Sequence, residues 1–363
     1  MKICVICSGY STVFGGVETV ISELSEYWVK QGNEVYILSG WGKKEGPKRV
    51  KLLKLPFISY KIFRKIPFFK RMLSASELEG LSLVPFCILS LICLDPDIVL
   101  SNQLSETIPA LILKFPSVMI SQAPIRLRFK TFNRVDRVIV NDFDSYKSLN
   151  LDGIRTQLMF NGVNEPGNRD SDIQLLKKKY GISNNSIIIL TIARLDSNKR
   201  INLLLDAFSL IKQEATLIIV GEGPELEYLK KQASSIKTGN KIVFVKPLPH
   251  DQVNELYQLC DVFTLPSKLE GMPLVLIEAL SFGKTVVTNP APVKKFILDR
   301  FGVFSNVEDP IEYSKSLIDA LSSKIDINSE EFIQHMNKFQ WSKISQQYIE
   351  TFHEVLSERK SVK

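Results

Sequence analysis

Histidine is almost missing from this chain: three in 363 residues, His250, His335 and His353, all in the second half. The first half therefore lacks the side chain whose ordinary pKa suits proton transfer near neutrality, and it shows no evident set of carboxylates for proton abstraction instead. Cysteine is scarce too. Five cysteines with no metal-ligand spacing point to a reduced compartment and away from a disulfide framework. Cys4 and Cys7 form a C-x-x-C beginning in the apolar run Ile3–Ile6. Three apart on a strand, they point to opposite faces, as core residues rather than a redox pair. Long apolar runs are also lacking. The longest, Leu81–Leu94, has 14 residues and contains Pro85, short of the roughly 20 that cross a bilayer. Lys2 leads into a short strand and a glycine loop rather than a secretory leader, so the expected localisation is cytoplasmic. No solenoid repeat or low-complexity tract is present.

One stretch lacks acid. Between Lys43 and Arg71, eleven basic residues face only Glu45, with Phe57, Tyr60, Phe63, Phe68 and Phe69 interleaved. The net charge of +7 is concentrated there. A solvated loop would explain the stretch. Nucleic-acid binding is disfavoured, because no recognition motif accompanies the charge. Docking on an anionic membrane suits it better: Lys61, Arg64 and Lys65 alternate with Ile62, Phe63 and Ile66, so cationic heads can meet lipid while apolar residues dip in.

Length suggests two domains, and 45% hydrophobic with 23% charged residues is ordinary for a globular chain. Strand-like and helix-like stretches alternate. Strands are expected at residues 2–8, 34–39, 97–101, 117–121, 137–140 and 156–160, with a helix over Val17–Lys30. A polar run from Asn164 to Asp170 reads as a linker. A second series follows, with strands at 187–193, 216–220, 241–246, 261–265 and 285–288. The chain closes on a helix over Ser342–Ser357. Strands alternating with helices in both halves imply two parallel sheets, each covered on both faces. The expected domains are residues 1–164 and 165–340, with residues from about 341 to 363 packing back on the first.

Chemistry gathers where strands end. Arg194 and Lys199 follow the first strand of the second half, and a planar fork beside a mobile point charge makes a good diphosphate site; a solvated basic turn is the alternative. Glu270 and Glu278, eight positions apart, flank the start of the helix after a later strand, at the sheet edge where ligands bind in open α/β folds. Two carboxylates with a helix N-terminus between them suit a ligand bearing hydroxyls and phosphate. Gly221-x-Gly223-Pro224 is a weak signal that a tight turn explains equally well. Gly15-Gly16 allows close backbone approach to a ligand, with Glu18 near the following helix start. Asp95-Pro96-Asp97 matches a metal-binding Asp-x-Asp on paper but reads as a turn into a strand. His250 reads as ordinary surface structure at a helix start.

Taken in order, Phe14-Gly15-Gly16-Val17-Glu18, Asn161-Gly162-Val163, Ala193-Arg194-Leu195 with Lys199, Val220-Gly221-Glu222-Gly223-Pro224, Pro266-Ser267 and Glu270 through Glu278 to Gly283 resemble the retaining glycosyltransferases of family four, within glycosyl transferases group one. The resemblance covers nearly the whole chain. It implies an α/β fold of two Rossmann-like parallel-sheet domains facing a cleft (GT-B). The first half would bind an acceptor and the second a nucleotide-diphosphate sugar. It also implies roles. Arg194 and Lys199 would hold the diphosphate and stabilise the leaving group, and Glu270 would sit by the donor sugar. Glu278 would take the ribose hydroxyls. The backbone N–H groups from Met272 to Val275, spanning Pro273 and Leu274, would cap sugar and phosphate, with Pro273 in the first helical turn. Gly16 and Gly223 join the donor set; Gly15, Glu18 and Gln122 form the acceptor side. Retention through a front-face path would let the leaving phosphate help deprotonate the acceptor, with no metal or other cofactor required. The acceptor would be a saccharide or a lipid-linked saccharide of surface polysaccharide or glycan synthesis, met at the inner face of the membrane.

The chain departs from the family pattern twice. Gln122 stands where a histidine is common, and glutamine cannot act as a base near neutral pH. Asn289-Pro290-Ala291-Pro292 replaces a glycine-rich turn. Two other readings stay open: a non-catalytic partner subunit of the same shape, and a sugar-nucleotide epimerase.

Overall fold

A computed structural model describes residues 1–12, 15–59, 62, 75–122, 130–164 and 172–361. The chain divides into two compact units, Met1–Gly162 with Trp341–Lys363, and Val163–Gln340.

The first unit is built on a seven-stranded sheet in the order β3-β2-β1-β4-β5-β6-β7, every neighbouring pair parallel. Its strands are β1 Lys2–Ile6, β2 Glu34–Gly40, β3 Lys51–Leu55, β4 Ile98–Ser101, β5 Ser117–Ser121, β6 Arg137–Val140 and β7 Thr156–Leu158. The described helices are α1 Gly16–Lys30, α2 Ala75–Leu94, α3 Leu104–Leu113, α4 Phe143–Leu151 and the closing helix, numbered α13 below, Trp341–Ser361. Helix α1 turns Val20, Ile21, Leu24 and Trp28 inward at the 3.6-residue period. Trp28 then anchors α13: its indole donates to the Ser345 carbonyl at 3.2 Å, and its ring lies edge-on to Tyr348 and Phe352. At the far end of α13, Arg359 makes a forked contact to Asp136, 2.8 Å to each oxygen. Gly162 touches the same helix. A Cβ there would lie 2.5 Å from the Trp341 ring, so only glycine lets the chain pass.

The second unit carries a six-stranded parallel sheet in the order β10-β9-β8-β11-β12-β13. Its strands are β8 Ile187–Ile192, β9 Ala215–Val220, β10 Lys241–Val245, β11 Val262–Leu265, β12 Thr285–Thr288 and β13 Gly302–Phe304. Helices α5 Ile173–Tyr180, α6 Ile201–Phe208, α7 Leu226–Ser235, α8 His250–Leu259, α9 Leu274–Ser281, α10 Pro292–Leu298, α11 Pro310–Asp319 and α12 Glu330–Met336 intervene. Its central strands read as nearly continuous apolar runs, broken only by the buried threonines Thr191, Thr216 and Thr264, as suits strands covered on both faces; Ile188, Ile189, Leu190, Leu217, Ile218 and Ile219 are all buried.

The structure departs from the sequence reading in several places. The basic stretch is not all loop: β3 adds an edge strand beside β2, and Lys51 and Lys54 pair with Glu34 and Glu45. Residues 60–61 and 63–71 of that stretch, with Lys61, Arg64 and Lys65, lie outside the described residues, as do Phe14 and the linker from 165 to 170. Strand β13 was too short and glycine-led to read from pattern. The apolar run 81–94 is part of a longer helix. The window Glu77–Leu94, with mean hydropathy 1.8, is long and apolar enough to cross a membrane by length and composition. Glu77 and Glu79 interrupt it in sequence, yet Glu79 is buried and Glu77 accepts from the Ser105 backbone at 3.0 Å. The inner face of α2, Leu83, Cys87 and Leu91, packs with Cys4, Ile6, Leu38 and Val99 of the sheet. Asp97, in the Asp-x-Asp string, accepts from the Lys2 backbone at 2.6 Å.

Candidate functional site

In the second sheet the chain runs outward from β8 to β9 and β10 on one side, and to β11, β12 and β13 on the other. Such a reversal leaves a crevice outside the carboxyl ends of the two central strands. The loops after β8 and β11 border it, and Asn198 stitches them together. Its side chain accepts from the Leu269 backbone at 3.1 Å and donates to the Leu269 carbonyl at 2.8 Å, and its own carbonyl accepts from the Lys268 backbone at 2.8 Å. Next to that clamp, Lys199 Nζ and Glu270 Oε1 form an ion pair at 2.5 Å, with only 19% and 12% of their side chains exposed. Arg200 turns away. In a left-handed conformation at φ 52, it donates to the Pro266 carbonyl at 2.7 Å and pairs with Glu308 at 2.9 Å. Arg194 remains open to solvent, 57% exposed, with its Nε 3.7 Å from Asp196. The two expected cations thus differ. One is held in place by a carboxylate, and the other presents an accessible fork.

Helix α9 begins at Leu274, so Pro273 is its N-cap, at φ −72 and ψ 107, one residue before the first turn in which it was expected. Met272 and Leu274 are buried and Val275 is half-buried. One turn on, Glu278 accepts a hydrogen bond from the Tyr257 hydroxyl at 2.8 Å. Burial, then the Glu278 charge, push the Tyr257 phenol well above its usual range, so it remains a donor. Sequence reasoning missed Tyr257. A tyrosine on α8 gives no sign in sequence of which carboxylate on a neighbouring helix it reaches.

The glycines after β9 have a steric reason. Gly221 sits at φ +146, where a Cβ would fall 1.9 Å from the Ala193 carbonyl oxygen; at Gly223 it would fall 2.2 Å from that of Leu195. The loop after β9 therefore lies directly on the backbone that carries Arg194. Leu195 N donates to Glu222 O at 2.9 Å, and Glu225 N to Leu195 O at 3.0 Å. A further cation, Lys294 on α10, was also missed; it is 1% exposed.

The first sheet reverses in the same way, between β1 and β4. Here a carboxylate holds the two loops. Glu106 accepts from the Ser8 backbone at 2.7 Å, the Asn102 backbone at 3.1 Å and the Gln103 side chain at 3.3 Å. Burial pushes its carboxyl up to about 7 against those hydrogen bonds. Glu18, also buried, is raised by burial to about 7, partly offset by Lys44. The first half thus holds two buried carboxylates, Glu18 and Glu106, at its sheet edge. Glu106 was overlooked because nothing in its local pattern separates it from an ordinary first-turn acid of a helix. Gly15 and Gly16 are exposed, and the Gly15 carbonyl accepts from the Thr19 backbone and hydroxyl, each at 3.1 Å. Gln122 accepts from Asn141 at 2.8 Å and lines a crevice with Val17 and Asn102.

Two parallel-sheet α/β units of this kind define the GT-B fold of glycosyltransferases. The fold matches sucrose-phosphate synthase from Thermosynechococcus elongatus with a TM-score of 0.79 at 15% identity, over 98% of this chain and 99% of that one. It matches HepE from Anabaena, solved in complex with UDP and glucose, with a TM-score of 0.76 at 19% identity, over 97% and 99% of the two chains. Residues 172–339 match the family model of glycosyl transferases group 1. In sequence, 129 residues are 32% identical to N-acetyl-alpha-D-glucosaminyl L-malate synthase from Bacillus anthracis, covering 35% of this chain and 33% of the relative. The chain spans about a third of the length of the curated relatives it matches first. Residues 172–339 are thus similar to glycosyl transferases group 1, and the chain has the GT-B fold.

Proposed function

We propose that the protein is a retaining glycosyltransferase of the family-four type, moving a sugar from a nucleotide-diphosphate sugar to a saccharide or lipid-linked acceptor. The observation that carries this is the Lys199–Glu270 pair held at the reversal of the second sheet, with the exposed Arg194 fork nearby. A departing nucleoside diphosphate gains negative charge as the glycosidic bond breaks, and preorganised cations at that point lower the barrier. Among the described residues only Glu270 engages the Lys199 ammonium, so further N–H donors remain for phosphate oxygens. Glu278, braced by Tyr257, takes the ribose hydroxyls. In a front-face path the leaving phosphate receives the acceptor proton, so no histidine is needed where Gln122 stands. With these cations holding the diphosphate, transfer proceeds without a divalent ion, and a chelator leaves it unchanged. HepE, solved with UDP and glucose, makes UDP-glucose a sensible first donor to try. Incubation with UDP-, GDP- and ADP-sugars and a mixed acceptor panel tests the reading. A transferred sugar with its anomeric configuration kept supports it; an isomerised donor would instead point to an epimerase, and no product with any donor to a partner subunit.

A second observation favours a site of action on an anionic membrane, at its inner face. On the outer side of α2, Phe86, Leu89 and Ile92 are 38%, 63% and 58% exposed, three residues apart on one helical face. No charge occurs from Leu81 to Leu94, and the eleven-cation stretch from Lys43 to Arg71 precedes the helix. An apolar helical face preceded in sequence by a cationic stretch fits anionic lipid. Flotation with vesicles rich in phosphatidylglycerol should recover the wild type, and less than a tenth as much after Leu89→Glu with Ile92→Glu. Equal recovery on pure phosphatidylcholine, or by the double variant, would remove this reading.

A further inference from the structure

Lys294 is the least expected residue of the second unit. On α10, Val293, Lys294, Ile297 and Leu298 are all buried, while its neighbour Lys295 is exposed. The ammonium lies where the carboxyl ends of β11 and β12 meet. It donates to the Ser267 carbonyl at 2.9 Å, Thr288 Oγ1 at 3.0 Å and Asn289 Oδ1 at 2.7 Å, with the Leu265 carbonyl at 3.4 Å. The Thr288 hydroxyl gives its own proton to the Leu265 carbonyl at 2.6 Å, so towards Lys294 it can only accept. A carbonyl oxygen and an amide oxygen likewise only accept. Three acceptors therefore face a nitrogen that satisfies them only with all three protons. Among the described residues no carboxylate lies within ion-pair distance of this nitrogen. The nearby charges are Glu270, Lys199 and Arg200, and Glu270 is already paired with Lys199 while Arg200 is paired with Glu308.

We propose that Lys294 is a positioning cation of the donor site: it ties the loop leading to Glu270 to the end of β12, and its positive charge goes unbalanced until a diphosphate binds. This rests on the donor reading given above. A buried ammonium without a carboxylate is costly unless its donors are satisfied, and here they are satisfied by oxygens that carry no net charge. A dianion at the mouth of the site supplies the missing charge through the protein. Burial pulls the Lys294 ammonium down to about 7 against the pull of Glu270. Above that pH the empty site tends to lose the proton and must take it back on binding, so affinity for a diphosphate falls as pH rises from about 7. Loss of the second phosphate proton near pH 6 acts the other way and is complete by then.

Calorimetric titration of the full chain with UDP, GDP and ADP, at several pH values from 6 to 9, tests the proposal. Two variants separate charge from packing. Lys294→Met removes the cation. Asn289→Asp leaves the lysine and its tie in place but sets a carboxylate against it, balancing the charge from within. The expected result is an affinity about ten-fold lower in both variants at pH 7 for whichever nucleotide binds, with the decline above pH 7 flattened in both. Asn289→Asp should melt no lower than the wild type, which keeps the test decisive if Lys294→Met fails to fold. An Asn289→Asp variant that binds as the wild type does at every pH would overturn the proposal and leave the donor reading standing. Failure of the wild type to bind any of the three nucleotides would overturn both.

Discussion

The two sheets share a design and differ in sign. Each reverses its strand order once, and each has a buried ionisable side chain holding the loops at its carboxyl edge. In the first unit it is an anion: Glu106 collects backbone N–H groups from the loops after β1 and β4. In the second it is a cation: Lys294 collects oxygens from the ends of β11 and β12. The first edge adds buried Glu18 and Glu79, with Lys44 acting on Glu18; the second adds Arg194 near Asp196, and Lys199 and Arg200 paired with Glu270 and Glu308. Parallel strands end in outward carbonyls and helices begin in inward N–H groups, so the backbone alone would treat both edges alike. Side chains give the two edges central buried groups of opposite sign, Glu106 at one and Lys294 at the other. On the reading proposed above, that division would direct a diphosphate to the second unit.

The largest expected effect comes from removing Arg194 or Lys199. Arg194→Ala or Lys199→Ala should lower transfer by about a thousand-fold or more; circular dichroism should be unchanged in both, and melting little changed in Arg194→Ala but lower in Lys199→Ala, where Glu270 loses its partner. Near-normal turnover in either would end the leaving-group role. Smaller is Glu278→Gln, which should weaken nucleotide affinity about ten-fold, while kcat at saturating donor changes much less; steady-state kinetics separate the two. Smaller still, and aimed at the comparison itself, is pH. The folded pKa of Glu106 is raised from 4.5 to about 7, so its contribution to stability is present below 4.5 and lost as pH rises through 7. That of Lys294 is lowered from 10.5 to about 7, so its contribution is present above 10.5 and lost as pH falls through 7. The melting difference between wild type and Glu106→Gln should shrink with rising pH, and that between wild type and Lys294→Met should shrink with falling pH. Parallel slopes would mean that the two edges are not opposites.

Much of this was legible in the sequence. The alternation of apolar runs with 3.6-period segments gave most strands and both parallel sheets, because each strand buries both faces and needs a covering helix. Arg194, Lys199 and Glu270 could be picked out, since each follows a strand. Their pairing could not: Lys199 and Glu270 are 71 residues apart and meet only because β8 and β11 are neighbours, which no local pattern reveals. The same limit hid Asn198, Tyr257, Glu106 and Lys294, each of which acts on a backbone or side chain distant in sequence. Lys294 did leave a trace. It falls three and four residues before Ile297 and Leu298, on the apolar face of its helix, where a solvated lysine does not belong. Strand β3 was obscured by its charges, because an edge strand exposes half of its side chains and can carry lysine there. Gly162, Gly221 and Gly223 showed as glycines, but their reason, contact with Trp341 and with the 193–195 backbone, is visible only in three dimensions.

The central claim is that the second unit holds a nucleotide diphosphate through Arg194 and Lys199. A thermal-shift panel of UDP-, GDP- and ADP-sugars, run on the wild type and on Lys199→Ala, addresses it most directly, because a ligand that binds only the folded state raises the melting temperature. The account predicts that at least one of these donors raises the wild-type melting temperature by several degrees and leaves the variant's nearly unmoved. A panel in which no donor shifts the wild type, or in which wild type and variant shift alike, would contradict it.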